Sequence, residues 1–481
     1  MKGNLAACSS GLMASLRGRV GVGWRKEIAS ELMCSPAEIG FFEVVAESCL
    51  FDAAARREVQ ALTHRVPVIP HGIKLSLGSA EGIDSAHVDQ IATLCKHLRA
   101  PCFSEHVSFV RAGGTEIGHL TPLPRTRQAV AVVARNVASA RRRLPDIPLL
   151  LENVAQPFFW PDDEMTEAEF YQEIVHATGC DLLLDLSNLY ANARNQGLEP
   201  NAVLQQFPVE RVAMVHVAGG AAEHGFYLDT HAHAVSTPIL ELVSQVLGMN
   251  PSVPLLLERD ANFDDFDITS EVGALARLCR EGPADTNATS HTPVFAAGHA
   301  APELDIASIE RLGASQTEVA NLLVSASSPG PTAAHSLGSR IGQEALARTR
   351  WILERKRVEA ALGFLPRLTR MAKVQALAER IIRELPRLPS RTSARDAFAI
   401  VRAALEEPTL SAEAALELLL LRARVREGSW LARRGPFLGF LRRGDILHIV
   451  LKSFGDSPTL HVRSKIPHAL LSTANHSSGP G

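Results

Sequence analysis

Through the first half of this chain, short apolar runs end again and again in a carboxylate or an imidazole. Glu43 follows Gly40-Phe41-Phe42, His71 follows Val68-Ile69-Pro70, and Glu105 and His106 follow Cys102-Phe103-Ser104. Glu152 and Asn153 follow Leu149-Leu150-Leu151, Asp185 follows Leu182-Leu183-Leu184 with Asn188 just beyond, His216 ends the run that starts at Val212, and Glu258 follows Leu255-Leu256-Leu257. A polar group after each buried strand is what a TIM (β/α)8 barrel with a site at its C-terminal mouth produces. A doubly wound open sheet is the rival fold. It would gather its ligands at one switch point, not at the end of every strand.

The spacing predicts strands at Val20–Gly23, Phe41–Val45, Val68–His71, Cys102–His106, Leu149–Glu152, Leu182–Asp185, Met214–Val217 and Leu255–Glu258, with helical stretches between them. Gln128–Arg143 carries apolar residues at helical spacing and ends in three arginines, which suit the negative end of a helix dipole. Thr166 followed three residues later by Glu169 reads as a capping box at a helix start. Strand, helix, strand in eight cycles implies parallel pairing.

Residues 282–303 lack periodicity and are rich in Gly, Pro, Ala, Thr, Asn and His, the composition of a linker. Helix-like segments follow at Ile306–Ser325, Ser339–Leu362, Thr369–Leu385, Ala394–Glu406 and Ser411–Arg426. Two or three strands are expected at the end, Phe437–Leu441, Ile446–Ser453 and Thr459–Arg463, with a turn at Gly455–Pro458. The resulting organisation is an N-terminal tail (1–18), a barrel (19–281), the linker, a basic and mostly helical domain ending in a small β element (304–470), and a disordered tail (471–481).

Composition narrows the function classes. The formal net charge of -3 exerts no overall pull toward nucleic acid or membrane, but from residue 330 onward there are 25 Lys/Arg against 13 Asp/Glu. The seven cysteines form no C-x-x-C pair and fit a reducing compartment, the cytoplasm, with several as plain core residues. Leu5-Ala6-Ala7-Cys8 has the look of a lipoprotein cleavage box, but no apolar segment precedes it, so no signal peptide is expected. No membrane span is expected either.

One acid or imidazole at a strand end is by default a satisfied buried group. Seven or more around one mouth are different, because carboxylates so close together repel and take up protons unless cations intervene. A mixed set of imidazoles and carboxylates without thiolates suits iron, manganese or zinc, and there are too many donors for a single ion. Redox chemistry at non-haem iron and two-metal hydrolysis both fit such a set. Asp229-Thr230-His231-Ala232-His233 adds a further cluster after the seventh strand, where period-two alternation would put Asp229 and His231 on one side of an extended segment.

Taken together, His71-Gly72 with Leu75–Ser79, Ser104-Glu105-His106, His119–Pro124, Leu151-Glu152-Asn153, Asp185-Leu186-Ser187-Asn188, His216–Gly219, Asp229-Thr230-His231 and Leu257-Glu258 resemble the DUF692 family, also called UPF0276. These are the multinuclear non-haem iron-dependent oxidases, of which the methanobactin biosynthesis oxidase is the best-known type. The resemblance runs in order from about residue 18 to 280. It implies a TIM barrel that holds two or three irons, uses O2, and modifies cysteine or other residues of ribosomally made precursor peptides. By motif, it implies metal ligands at His71, His106, Glu152, Asp185, His216, Asp229, His231 and Glu258. Glu43, Glu47, Glu105, Asn153 and Asn188 would orient those ligands. The chain has Ser48 where the family usually has Asn, and Arg125 where it often has an aromatic residue.

No catalytic motif stands out after residue 300. The basic surplus there is either a set of solvated helix faces or a surface for an acidic partner. Family oxidases commonly need a partner that recognises the precursor's leader, and a fused domain could take that role by raising the local peptide concentration. Gln316–Ala320 faintly resembles the opening of a DNA-binding helix-turn-helix, but no aromatic-basic surface for nucleic acid accompanies it. The expected activity is an iron-dependent oxidase acting on a peptide, most naturally at a cysteine thiolate anchored on metal. Two alternatives stand beside it: a metal-dependent hydrolase or sugar isomerase on the same fold, and a non-catalytic binding protein.

Overall fold

The computed structural model describes residues 13–35, 38–51, 53–265, 267–281, 305–324, 336–385, 392–428, 431–455 and 459–465. The whole of the expected linker (282–303), the C-terminal tail and the turn residues Asp456–Pro458 lie outside them.

Eight parallel strands close into a barrel. They are β1 (Val20–Gly23), β2 (Phe41–Val45), β3 (Val68–Gly72), β4 (Phe103–His106), β7 (Leu149–Glu152), β8 (Asp181–Asp185), β9 (Val212–Val217) and β12 (Leu255–Leu257). Each neighbours its successor among these eight, and β12 closes the ring on β1 through pairs such as Val20 with Leu255. The numbers missing from the ring belong to two hairpins that the apolar pattern did not announce: β5 (Phe109–Ala112) with β6 (Thr115–Thr121), and β10 (Gly219–Glu223) with β11 (Phe226–His233). Both leave from the C-terminal end of a barrel strand.

Inside the barrel the side chains form layers, because every second residue of a strand points inward. Phe41, Ile69, Cys102, Leu150, Leu183, Met214 and Leu256 make one apolar layer, plugged by Leu16, and all are at most 1% exposed. Gly21 pairs with Phe41 across β1 and β2, and a Cβ there would collide with the Phe41 ring. Two residues further along the strands stand Glu43, His71, Ser104, Glu152, Asp185, His216 and Glu258.

Helices cover the outside, as the local signals require. Arg127–Arg141 is capped by Thr126, whose hydroxyl accepts from Ala129 N, and it buries Val130, Val133 and Val137 at helical spacing. Thr166 and Glu169 form the capping box of the helix Glu167–Thr178.

The chain divides into two compact units. The first comprises Met1–Gly113, His119–Ala320 and Ala333–Ala345; the second comprises Gly114–Gly118, Asn321–Thr332 and Leu346–Gly481. Most of the helix Ile306–Val324 packs with the barrel, because its Val319, Ala320 and Gln316 side chains are fully buried.

The second unit has its own core, built from Gln343–Leu362, Val374–Glu384, Thr392–Glu406 and Ser411–Arg424 around Leu365, Leu368, Phe398 and Val401. The long helix expected from Ser339 is broken: Gly342, at φ +97°, separates Leu337–Ile341 from Gln343–Leu362. The second unit ends in a short ribbon, β13 (Val425–Arg426) with β14 (Leu431–Ala432). An antiparallel sheet of β15 (Phe437–Arg443), β16 (Ile446–Lys452) and β17 (Leu460–Lys465) follows, in agreement with the expected small β element.

Candidate metal centre

The polar layer is fixed from beneath by the strands and from the side by hydrogen bonds. His71 shares a 2.8 Å hydrogen bond between its Nδ1 and Ser104 Oγ. His106 Nδ1 lies 3.1 Å from the carbonyl of Gly72, which accepts its proton. Both rings therefore turn Nε2 toward one oxygen, Glu152 Oε2, at 3.4 Å and 3.2 Å. Tying down the other ring nitrogen selects the tautomer whose lone pair faces the site.

His216 is fully buried. Its Nε2 lies 3.2 Å from the Glu43 carboxylate, and its Nδ1 lies 3.4 Å from Glu152 Oε1 and 3.3 Å from Glu258 Oε2. His231 completes the ring from β11: Nε2 is 2.6 Å from Asp229 Oδ2, and Nδ1 is 3.3 Å from both Glu258 Oε2 and Asp260 Oδ2. The extended alternation expected of Asp229-Thr230-His231 is replaced by something tighter. His231 sits at φ +51°, a left-handed conformation that costs a non-glycine residue energy and often marks a functional position. The two side chains meet nonetheless.

Asp185 caps the helix Leu186–Asn195 by accepting from Asn188 N at 2.7 Å through Oδ1, which leaves Oδ2 facing the barrel mouth. The Asn153 side chain grips the Asp185 backbone at both its N–H (2.7 Å) and its carbonyl (2.9 Å), and Asn188 Nδ2 donates to the Asn153 carbonyl. Glu105 accepts from Leu75 N and His106 N, and Glu47 accepts from Ile73 N while meeting His87 Nε2 at 3.1 Å. These acids and amides hold the mouth in shape.

Among the described residues, four groups of three have donor atoms within 4.8 Å of one another: His71, His106, Glu152; Glu43, His216, Glu258; Glu152, Asp185, His216; and Asp185, His231, Glu258. Seven of the eight ligands expected from the sequence fall in these groups. Asp229 reaches them only through His231. Glu43, read from sequence as an orienting residue, stands among the donors. Two further participants were missed. Asp260 lies two residues past Glu258 and receives Arg25 Nε at 2.8 Å, and His87 lies on the helix Ser85–Leu98. Neither follows an apolar run, so the strand-end pattern gives no signal for them.

The electrostatics show what such crowding demands. Burial opposes charge on His106, but Glu152 and Glu105 beside it carry its pKa up to about 9. Burial likewise opposes ionisation of Glu152, yet His106, His216 and His71 pull it down to about 2. His216 and His231 are held well above the usual imidazole range by their carboxylate neighbours, against burial. Asp185 is pushed well above the carboxylate range by burial and by Asp229 and Glu152.

Among the described residues, Glu152 Oε2, Asp185 Oδ2, Asn188 Oδ1, His216 Nδ1 and Asp229 Oδ1 are buried without a hydrogen-bond partner. Polar atoms left so cost free energy unless something else binds them. Divalent cations fit this donor set of imidazole nitrogen and carboxylate oxygen, and no cysteine belongs to any of the groups. Cys102 lies in the apolar layer, with its thiol pushed up by burial.

The family model described as RiPP precursor modification enzyme MbnB/TglH/ChrH matches residues 19–280. A UPF0276 protein of Streptomyces avermitilis is 39% identical over 265 residues, 53% of this chain and 54% of that protein. A UPF0276 protein of Shewanella loihica is 35% identical over 247 residues, 51% of this chain and 88% of that protein. The chain thus spans about half the length of the Streptomyces relative and most of the Shewanella one. Among solved structures, an L-ribulose 3-epimerase aligns with a TM-score of 0.35 and 15% identity, covering 55% of this chain and 92% of that one.

Proposed function

This chain belongs to the MbnB/TglH/ChrH family of RiPP precursor modification enzymes, and on that premise we propose that it is a multinuclear iron-dependent oxidase that uses O2 to modify a ribosomally made peptide at cysteine. The observation that carries the reading is the overlap of the donor groups. Glu152, Asp185, His216 and Glu258 each belong to two of them, so the donors form one continuous set that would suit several neighbouring ions more than one isolated ion.

His71, His106 and Glu152 would hold one iron. Asp185, His231 and Glu258, with Asp229 behind His231, would hold a second, and Glu43 and His216 lie where a third would bind. When bound, iron supplies the one-electron chemistry with O2 that no amino-acid side chain can. The protein's part is to keep the ligands in place. Ser104 Oγ and the Gly72 carbonyl fix the two imidazoles, and Asn153 fixes Asp185. The buried thiols of Cys95 and Cys102 are poor competitors for a substrate sulfur, since burial pushes Cys95 up to about 12 and Cys102 higher still.

We assign peptide or partner recognition to the second unit. Its support is the basic surplus after residue 330 and the lack of any three-donor group there among the described residues. An exposed apolar face carrying Leu438, Phe440, Leu451, Leu460 and Val462 adds to it. No described helix is long and apolar enough to cross a membrane, and free buried thiols suit the cytoplasm.

The test is direct. The iron-loaded protein is incubated with a short cysteine-containing peptide encoded beside its gene, with and without O2, and the peptide is read by mass spectrometry. An iron- and O2-dependent mass change supports the proposal. Turnover that persists without O2 and with zinc or manganese bound sinks it.

A further inference from the structure

The helix Ile306–Val324 lies beyond the residues that match the family, yet it buries an uncharged polar side chain completely. Gln316 is 0% exposed. Its Nε2 donates to the carbonyl of Gly78 at 2.7 Å, and its Oε1 accepts from Ala80 N at 2.9 Å. A side chain so enclosed is not available to contact DNA. Around it, Gly313, Gln316, Thr317 and Ala320 share one face by their spacing of three and four. A Cβ on Gly313 would touch Ala80, and one on Gly113 would collide with Thr317. That face therefore rests on the loop after His71 and on the hairpin after His106.

The loop from Ile73 to Ala80 is irregular and largely buried, so its backbone groups need partners from elsewhere. Glu47 takes Ile73 N, Glu105 takes Leu75 N, and Asn136 Nδ2 donates to the carbonyls of Leu77 and Ser79. Gln316 supplies the bonds to Gly78 and Ala80. The other end of this loop touches the donors directly: the Gly72 carbonyl holds His106 Nδ1, and the Glu105 carboxylate that holds Leu75 N also holds His106 N.

We infer that Gln316 is a positioning residue of the candidate metal centre, acting through the Gly72–Ala80 loop on His106 and so on the His71, His106, Glu152 group. The inference rests on the reading of that group as a metal site. It makes a helix outside the family segment a working part of the barrel.

The test uses the full chain, stripped of metal and titrated with Co(II) under nitrogen. Absorbance gives site number and affinity, and hydrogen exchange reports on the Ala80 amide. His106→Ala is the control for the metal reading. Gln316→Met keeps the volume and removes both bonds. It should expose the Ala80 amide to exchange, weaken one Co(II) site by about 10-fold, the low end of the effect of losing an outer partner, and shift that site's absorption while the remaining sites titrate as before. Gln316→Leu removes the same two bonds with a side chain of different shape and serves if the Met variant does not fold. If His106→Ala loses a site and both Gln316 variants titrate like the unaltered protein, the inference alone is overturned. If His106→Ala itself binds Co(II) normally, the metal reading falls and the inference with it.

Discussion

Two layers of side chains enter the same barrel two residues apart on the same strands, and they follow opposite rules. Ile69, Leu150, Met214 and Leu256 pack against one another with nothing left over. His71, Glu152, His216 and Glu258 are buried almost as deeply, but they bring charge, a His216 imidazole held well above its usual range against burial by Glu43, Glu258 and Glu152, and the orphaned atoms Glu152 Oε2 and His216 Nδ1. The lower layer stabilises the barrel by burial, which is worth about 1.5–3 kcal/mol for each large apolar side chain. The upper layer is costly unless cations occupy it. Depth alone does not separate structure from function here. What separates them is whether the buried groups find partners within the protein.

The sharpest way to break this contrast is to mutate one strand in each layer. His216→Ala should remove most of the bound iron and abolish turnover, because it takes a donor from two groups at once. Circular dichroism of the iron-free barrel should change little. Full iron content and turnover in the variant would put His216 outside the site.

Met214→Ala, two residues earlier, should do the reverse. Truncating a fully buried Met costs about 2–5 kcal/mol, visible in urea unfolding, while iron per folded molecule stays the same. Loss of iron without loss of stability would merge the layers and defeat the comparison.

A smaller effect sharpens it further. His106 has its pKa raised from 6.5 to about 9 in the metal-free protein. The stability this group contributes is therefore complete below about pH 6.5 and lost as pH rises through about 9. Melting temperature of the stripped protein should fall across that window. If His106 binds iron as proposed, it does so as the neutral imidazole, and the slope should flatten in the iron-loaded protein. Equal slopes with and without iron would mean the protons, not metals, are what the upper layer is built around.

Much of this was legible because it is local. An apolar run, a polar residue at its end and period-two alternation are properties of five consecutive residues, so β2, β7 and the donors Glu152, Asp185 and Glu258 could be read directly. The capping box at Thr166 was legible for the same reason. The hairpin β10–β11 was not. Its β10 strand is Gly219-Gly220-Ala221-Ala222-Glu223, which carries no alternating apolar signal, and its register shifts between Gly219 and Ala221. The break at Gly342 was hidden because the residues on either side keep helical composition.

The sequence by itself determined the barrel, the order of its strands and the kinds of atom that face its mouth, because burial of strands and alternation of side chains leave little choice once the pattern is set. Only the tertiary structure decided which donors stand together. That depends on distances across the barrel, where Glu43 meets His216 from 173 positions away. It likewise decided that Gln316, 236 positions beyond Ala80, closes the loop beside His106. A lone glutamine in a helix carries no local sign of the carbonyl and amide it will meet, since that partnership is created by packing and not by sequence spacing.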